Sequence, residues 1–157
     1  MRTETRLNPF AIALAAALLT VVTFAQGDRF EKTIPFQIDT SVPLESVTGP
    51  VKVTNLKITN MGRGYGRGGF GLRSANPPSE LSTTLRFAFD VDNPADEEWD
   101  VTFTVELMDK SGKVIDRASK TENYEGEAKV LNLDHSIIEY VLPMIADVRV
   151  TLQARRS

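Results

Sequence analysis

Acidic side chains cluster between two apolar stretches near the middle of the chain. They are Asp90, Asp92, Asp96, Glu97, Glu98 and Asp100. Calcium binds about six to eight hard oxygen ligands, and carboxylates on a loop can supply several of them. The spacing differs from that of an EF-hand loop, so weak calcium binding here is a hypothesis. The candidate ligands are Asp90, Asp92, Asp96 and Asp100. The favoured interpretation is a solvated, charge-rich hairpin tip that discourages pairing with other chains.

A glycine-rich segment at 61–73 carries cationic and aromatic side chains at short intervals. Together with a tryptophan further along the chain, these side chains form a possible interaction surface: Arg63, Tyr65, Arg67, Phe70, Arg73 and Trp99. Such groups can bind phosphate and stack on bases. The net charge of −3 nevertheless argues against a nucleic-acid partner. An unknown protein or an anionic envelope polymer or lipid headgroup is the expected partner, unless the segment only links two strands.

The residue types that usually carry catalysis are scarce, since the chain has one histidine and no cysteine. His135 alone cannot form a His-rich zinc site, and no thiolate can assist it. Nucleophile-elbow, HExxH and Walker motifs are absent from the sequence. The sequence therefore indicates no catalytic residue and no cofactor, and it predicts a non-enzymatic protein. Trp99 either packs a strand connection against the end of the fold or marks a contact surface.

Two alternating stretches must position the acidic cluster. In 85–91 and in 101–107, apolar residues occupy every second position, which places them on one face of a strand. We expect the two strands, joined by 93–96, to form an antiparallel pair whose apolar face requires a second sheet. Ser111 and Gly112 then close a tight turn into a third strand.

Other stretches supply the remaining elements. The strand at 30–38 contains Pro35 and is expected at a sheet edge, because proline cannot donate to a ladder. The apolar positions of 51–58 change parity, which predicts a β-bulge near Thr54 and Asn55. Further along, 41–50 is expected to be a connector, 61–82 a glycine-rich loop and 121–127 a polar turn. Asp134 is the expected N-cap of a short helix that ends at Leu142, and 148–152 is the last strand.

The pattern predicts an all-β protein. About seven short strands separated by turns, with one short helix before the last strand, favour an immunoglobulin-like antiparallel β-sandwich.

One hairpin resembles a known family. The segment V-E-L-M-D-K-S-G-K-V-I at 105–115 is similar to the signature hairpin of FxLYD-type domains, with a pattern V-x-L-Y-D-x-x-G-x-V. Met108 stands where that pattern has tyrosine, and V-D-N-P at 91–94 resembles the approach to the same hairpin. The resemblance implies an immunoglobulin-like or fibronectin type III-like sandwich of an exported bacterial protein, with no enzymatic role.

The N-terminal segment has the features of a secretory leader. Arg2 and Arg6 precede an uncharged apolar run at 10–25, and small residues then fit a cleavage site after Ala25 or Gly27. We therefore expect a signal peptide helix at 1–25 and a single β-sandwich domain at 26–157. Export would place the domain in the periplasm or outside the cell, and only an uncleaved leader would attach it to a membrane. The expected function is binding or structural interaction in the bacterial cell envelope. The alternative is a calcium- or carbohydrate-binding accessory domain that uses the acidic turn at 90–100.

Overall fold

A computed structural model describes residues 29–62, 81–95 and 97–157. The strands in these ranges are β1 (Arg29–Pro35), β2 (Ser41–Thr48), β3 (Val51–Gly62), β4 (Ser82–Asp92), β5 (Glu98–Met108), β6 (Val114–Glu125), β7 (Ala128–Ile138) and β8 (Asp147–Arg156). A 3-10 helix at Glu139–Met144 precedes β8. The strands form two four-stranded sheets, in the orders β1-β8-β5-β6 and β2-β3-β4-β7. Within each sheet the neighbouring strands are antiparallel.

The two sheets share one apolar core, which confirms the predicted β-sandwich architecture. The alternating apolar residues of β4 and β5 are all buried: Leu85, Phe87, Phe89, Val91, Val101, Phe103, Val105 and Leu107. The rings of Phe89 and Phe103 lie 5.0 Å apart, and they join one sheet to the other. Burial of these side chains is the main contribution to stability, since each fully buried large apolar group is worth about 1.5–3 kcal/mol.

The predicted antiparallel pairing of the strands at 85–91 and 101–107 is wrong. β4 pairs with β3 and β7, whereas β5 pairs with β6 and β8. The connection at 93–97 therefore passes from one sheet to the other, and the two apolar faces meet across the core. Asn93 holds this crossing in place. Its buried amide Nδ2 donates to the Glu97 and Tyr124 carbonyl groups, at 3.2 Å each.

The prediction of a connector at 41–50 is also wrong, because most of this segment forms β2. Leu44, Ser46 and Thr48 are buried at alternate positions, and the prolines that obscured the pattern are tolerated in an edge strand. Two local predictions are confirmed. Pro35 lies in β1, at the edge of its sheet. The β3–β4 register shifts between Val53 and Asn55, where the bulge was expected.

The helix before the last strand begins later than predicted, and Asp134 does not cap it. β7 continues to Ile138 in register with β4, so strand pairing prevails over the helical spacing of the apolar residues. Asp134 instead accepts two hydrogen bonds from the Arg86 guanidinium, at 2.7 and 2.8 Å. Pro143 lies inside the 3-10 helix instead of after it.

The predicted polar turn at 121–127 is for the most part strand, since β6 extends to Glu125. Tyr124 is fully buried, with its ring centroid 6.2 Å from that of Phe103. The inward positions of β6 include Lys120 and Glu122, and these charged residues concealed the strand periodicity in the sequence.

Several predictions lie outside the described residues. They concern the leader at 1–25 and residues 63–80 of the predicted glycine-rich loop. At the borders of that loop, β3 includes Gly62 and β4 starts at Ser82. Within the ranges that the structure describes, no helix is both long enough and apolar enough to cross a membrane.

Candidate interaction surface

The acidic candidates fall on opposite sides of the sandwich. Asp90 and Asp92 alternate with buried residues of β4 and lie on the outside of one sheet, whereas Asp100 lies on the outside of the other. The Asn55 amide donates to Asp90 over 3.0 Å, and the Asn123 amide donates to Asp100 over 3.2 Å. Hydrogen bonds from the side chains of Asn123 and Ser157 lower the pKa of Asp100. Asp96 lies outside the described residues.

These positions do not assemble into a metal site in the part of the chain that the structure describes. No group of three or more Asp, Glu or His side chains there could hold a metal ion. A shallow depression of about 420 Å³ nevertheless lies at the Asp90 and Asp92 end of β4. It is lined by Thr54, Asp90, Val91, Asp92, Ala128, Lys129 and Val130. The Asp90 and Asp92 carboxylates lie beside the exposed Ala128 and Val130 in this depression, so most of its accessible lining is apolar.

Trp99 packs between the sheets. It lies in β5, and its six-membered ring approaches Gly49, in the turn between β2 and β3 of the other sheet. The indole is partly buried against the core, and its Nε1 is shielded from solvent. Of the two roles that the sequence allowed for Trp99, packing and partner contact, this position corresponds to packing. Only part of the indole surface remains for a partner.

His135 lies in β7 and not in the first turn of a helix. It alternates with the buried residues Leu133 and Ile137, so its ring points toward the opposing sheet. Its Nε2 is 2.9 Å from the Asp116 carboxylate of β6. The pair ties the edge strand of one sheet to the edge strand of the other, which is a structural role.

Sequence reasoning missed a set of lysines that bind carbonyl groups across the gap between the sheets. The Lys32 ammonium donates to the Pro43 carbonyl over 2.9 Å, and the Lys129 ammonium to the Asn123 carbonyl over 3.1 Å. Lys120 donates to the Asn132 carbonyl over 3.3 Å. Each lysine lies on an edge strand and binds the edge strand opposite. Inward-pointing charges are typical of protected sheet edges. In the sequence, Lys32 stands at the same parity as Phe30 and Ile34, and this charge among inward-facing positions was the available signal of an edge strand.

The other residues of the predicted interaction surface belong to the glycine-rich segment. Arg63, Tyr65, Arg67, Phe70 and Arg73 lie outside the described residues. The strands on either side of them are hydrogen-bonded neighbours, paired as far as Gly62 and Thr84. Exposed apolar side chains lie next to Ser82, in the paired strand β7 and in the 3-10 helix that follows it: Leu81, Ile138, Tyr140 and Met144.

Comparisons with known proteins give little further guidance. No family model matches the chain. No curated protein matches it at a significant level. Among solved structures, the enzymatically active domain of tailspike protein 4 from bacteriophage CBA120 is similar over 83% of this chain and 17% of its own, at 8% identity and a TM-score of 0.23. At that TM-score the likeness carries no argument.

Proposed function

We propose that this protein is a non-enzymatic, exported β-sandwich module that binds partners in the bacterial cell envelope. The observation that carries the proposal is the unequal protection of its four sheet edges. β1 and β2 contain prolines. On β6 the Arg117 N–H is bound by the Asp116 carboxylate and the Asn123 carbonyl by Lys129 of β7. β7 is a proline-free edge strand with exposed Val130 and Ile138. An accessible edge accepts an added strand through main-chain hydrogen bonds, which is a common mode of protein recognition.

The arginine-rich segment is the second contact region of this proposal. A hairpin between paired strands needs only about two to five residues, yet 63–80 is inserted where β3 and β4 already pair at Gly62 and Thr84. Long connections of this kind are commonly functional. Arg63, Arg67 and Arg73 would supply the positive charge for an anionic envelope polymer or headgroup.

A crosslinking pull-down of the processed protein from its own envelope tests the proposal. Replacing Arg63, Arg67 and Arg73 with glutamine should remove the anionic partners. The matched control replaces Arg29, Arg117 and Arg155, whose side chains are 59%, 64% and 80% exposed. Their ion pairs are of the surface kind and contribute little to stability. Equal loss of crosslinks in both triple variants would reduce the effect to net charge, and no crosslinks in the wild type would refute the proposal.

The immunoglobulin-like assignment is part of the same proposal and is supported by strand neighbours. In an immunoglobulin domain, strand B lies beside E in one sheet and C beside F in the other. Here β4 lies beside β7, and β5 lies beside β8. β1 then occupies the place of strand G beside F, although it is the first strand described. The hairpin that resembles the FxLYD signature joins β5 to β6, in the place of strands C and C′.

The depression beside Asp90 and Asp92 supports a second candidate function, a carbohydrate-binding accessory domain, with calcium as the other ligand to test. A bound ligand stabilises the folded state, so the melting temperature should rise with ligand concentration. Millimolar calcium or a panel of envelope glycans would produce this rise in the wild type and not in an Asp90→Asn, Asp92→Asn double variant. An unchanged melting temperature with every ligand would exclude this candidate.

A further inference from the structure

The backbone of β7 has one side bound to β4, and no strand of the described residues pairs with its other side. Immediately before β7, the Glu127 carbonyl accepts from the Asn93 N–H over 3.1 Å, and immediately after it the Glu139 N–H donates to the Leu81 carbonyl over 2.7 Å. Odd-numbered residues therefore direct their N–H and C=O groups toward β4. Because these directions alternate along a strand, the even-numbered residues face outward. The Asn132 carbonyl, which accepts from Lys120 of β6, fits this alternation.

The other three edges are blocked more heavily. β1 ends in Pro35. β2 contains Pro43, a register shift after it, and carbonyl groups bound by Lys32. On β6, the Arg117 N–H donates to the Asp116 carboxylate over 2.7 Å, and the Asn123 carbonyl accepts from Lys129.

Among the outward backbone groups of β7, only the Asn132 carbonyl is bound by a described side chain. Natural proteins protect their edges with prolines, bulges and lysines. β7 carries the inward-pointing Lys129, but it has no proline and no register shift in its pairing with β4, so it is the least protected edge of the described residues.

Resting on the proposed binding function, we propose that β7 pairs antiparallel with β7 of a second copy of this chain. The two-fold axis passes through Leu133, so that Ala128 lies opposite Ile138, Val130 opposite Ser136, and Asn132 opposite Asp134 of the second copy. This register uses every outward-facing residue of β7. It joins the two β7-containing sheets into one continuous sheet, and the contact is isologous and closed.

Charge and polarity select this register over its neighbours. The Asn132 amide faces the Asp134 carboxylate and can donate to it, and Arg86 of the same chain already balances that carboxylate. A shift in one direction would place Asp134 opposite Asp134, and like charges directly opposite one another destabilise a strand pair. A shift in the other direction would place Asp134 opposite Val130. In the chosen register, Ile138 and Ala128 cover each other on the outer face, where Ile138 is 43% exposed in the single chain.

Among the described residues, Lys120 obstructs this pairing, and its removal should favour association. In the dimer the Asn132 carbonyl accepts from the Asp134 N–H of the second copy, so the Lys120 ammonium competes with that N–H for the carbonyl. It keeps its ion pair with Glu122, at 2.6 Å. Lys120→Met should therefore tighten the dimer severalfold.

Sedimentation velocity of the purified protein over a wide concentration range tests the proposal, because it needs no envelope component. Ser136→Pro removes an outward N–H while leaving the β4 ladder intact, and it should weaken dimerisation at least about tenfold. The matched control, Thr33→Pro, places a proline on β1, two residues before Pro35, and should leave dimerisation unchanged. Circular dichroism melts establish that each variant is folded.

A charge exchange tests the register without any backbone change. Asn132→Asp would place two carboxylates opposite each other and weaken the dimer, and adding Asp134→Asn to it should restore dimerisation. The proposal would be overturned if the wild type and Lys120→Met both stayed monomeric. A dimer that is unaffected by Ser136→Pro and by Asn132→Asp would also overturn it. Envelope crosslinks captured by a strictly monomeric protein would refute the dimer alone, whereas a dimer without such crosslinks would refute envelope binding alone.

Discussion

Trp99 and Gly49 contact each other across the two sheets, and there is no room for a side chain between them. A Cβ on Gly49 would lie 2.9 Å from the Trp99 Cζ3 atom. Gly49 also has a φ of +59°, in the left-handed region that favours glycine. The turn between β2 and β3 thus depends on glycine for two separate reasons, and the indole closes this end of the sandwich.

Gly49→Ala should therefore lower the free energy of unfolding by about 2–3 kcal/mol, from backbone strain and from overlap with the indole. Gly112→Ala is the matched control, because Gly112 has a φ of +79° but nothing within 4 Å of its Cβ position. It should cost only the backbone strain, about 1 kcal/mol. Urea unfolding measures both, and equal losses would show that Trp99 does not press on Gly49.

Tyr124→Phe should leave stability unchanged or raise it by up to about 1 kcal/mol. The Tyr124 hydroxyl is buried and hydrogen-bonds to no described group, and burial raises the pKa of its phenol far above the ordinary value. A buried polar group without a partner costs free energy, so its removal relieves a penalty. The contact between the Lys129 ammonium and the ring, 4.4 Å from the centroid, persists with phenylalanine.

Thermal and urea unfolding test this change against Tyr140→Phe, since Tyr140 is 67% exposed and should give no effect. A loss of more than about 1 kcal/mol in Tyr124→Phe alone would mean that its hydroxyl is hydrogen-bonded.

The β5–β6 turn should make stability depend on acid pH through Asp109. Its carboxylate accepts hydrogen bonds from the Ser111 hydroxyl and from the N–H groups of Lys113 and Ser111, and these bonds lower its pKa. Because the folded-state pKa is lower than the unfolded one, the stabilisation is fully present above about pH 4 and disappears as the pH falls through the folded value.

Asp109→Asn keeps an acceptor oxygen but cannot ionise. The stability difference between wild type and Asp109→Asn should therefore shrink as the pH falls from about 6 to about 2. Urea unfolding at a series of pH values measures it. A difference that stays constant across this range would show that the charge of Asp109 contributes nothing.

The sequence was sufficient for the architecture and insufficient for the pairing. Alternation in 85–91 and 101–107 assigned each strand a buried face, but alternation does not identify the hydrogen-bonded neighbour. The Asn93 contacts that direct the chain into the other sheet join residues distant in sequence. Likewise, Asp134 is a good N-cap by residue type, and only its pairing with Arg86, 48 positions away, shows that it belongs to a strand.

The candidate surface was less predictable for the same reason. The inward lysines Lys32, Lys120 and Lys129 interrupt the apolar period and make edge strands resemble loops in the sequence. Their role becomes evident only when the carbonyl groups opposite are known. The arginines of 63–80 and the leader at 1–25 stay predictions.

Residue-resolved amide hydrogen exchange along β7 is the most direct test of the open edge. The N–H groups of Leu131, Leu133 and His135, which face β4, should be protected at every protein concentration. Those of Val130, Asp134 and Ser136 should exchange quickly in dilute solution and become protected as the concentration rises. If the even-numbered amides exchange equally fast in dilute and concentrated protein, or are protected even at high dilution, β7 is not the open edge that accepts a second copy.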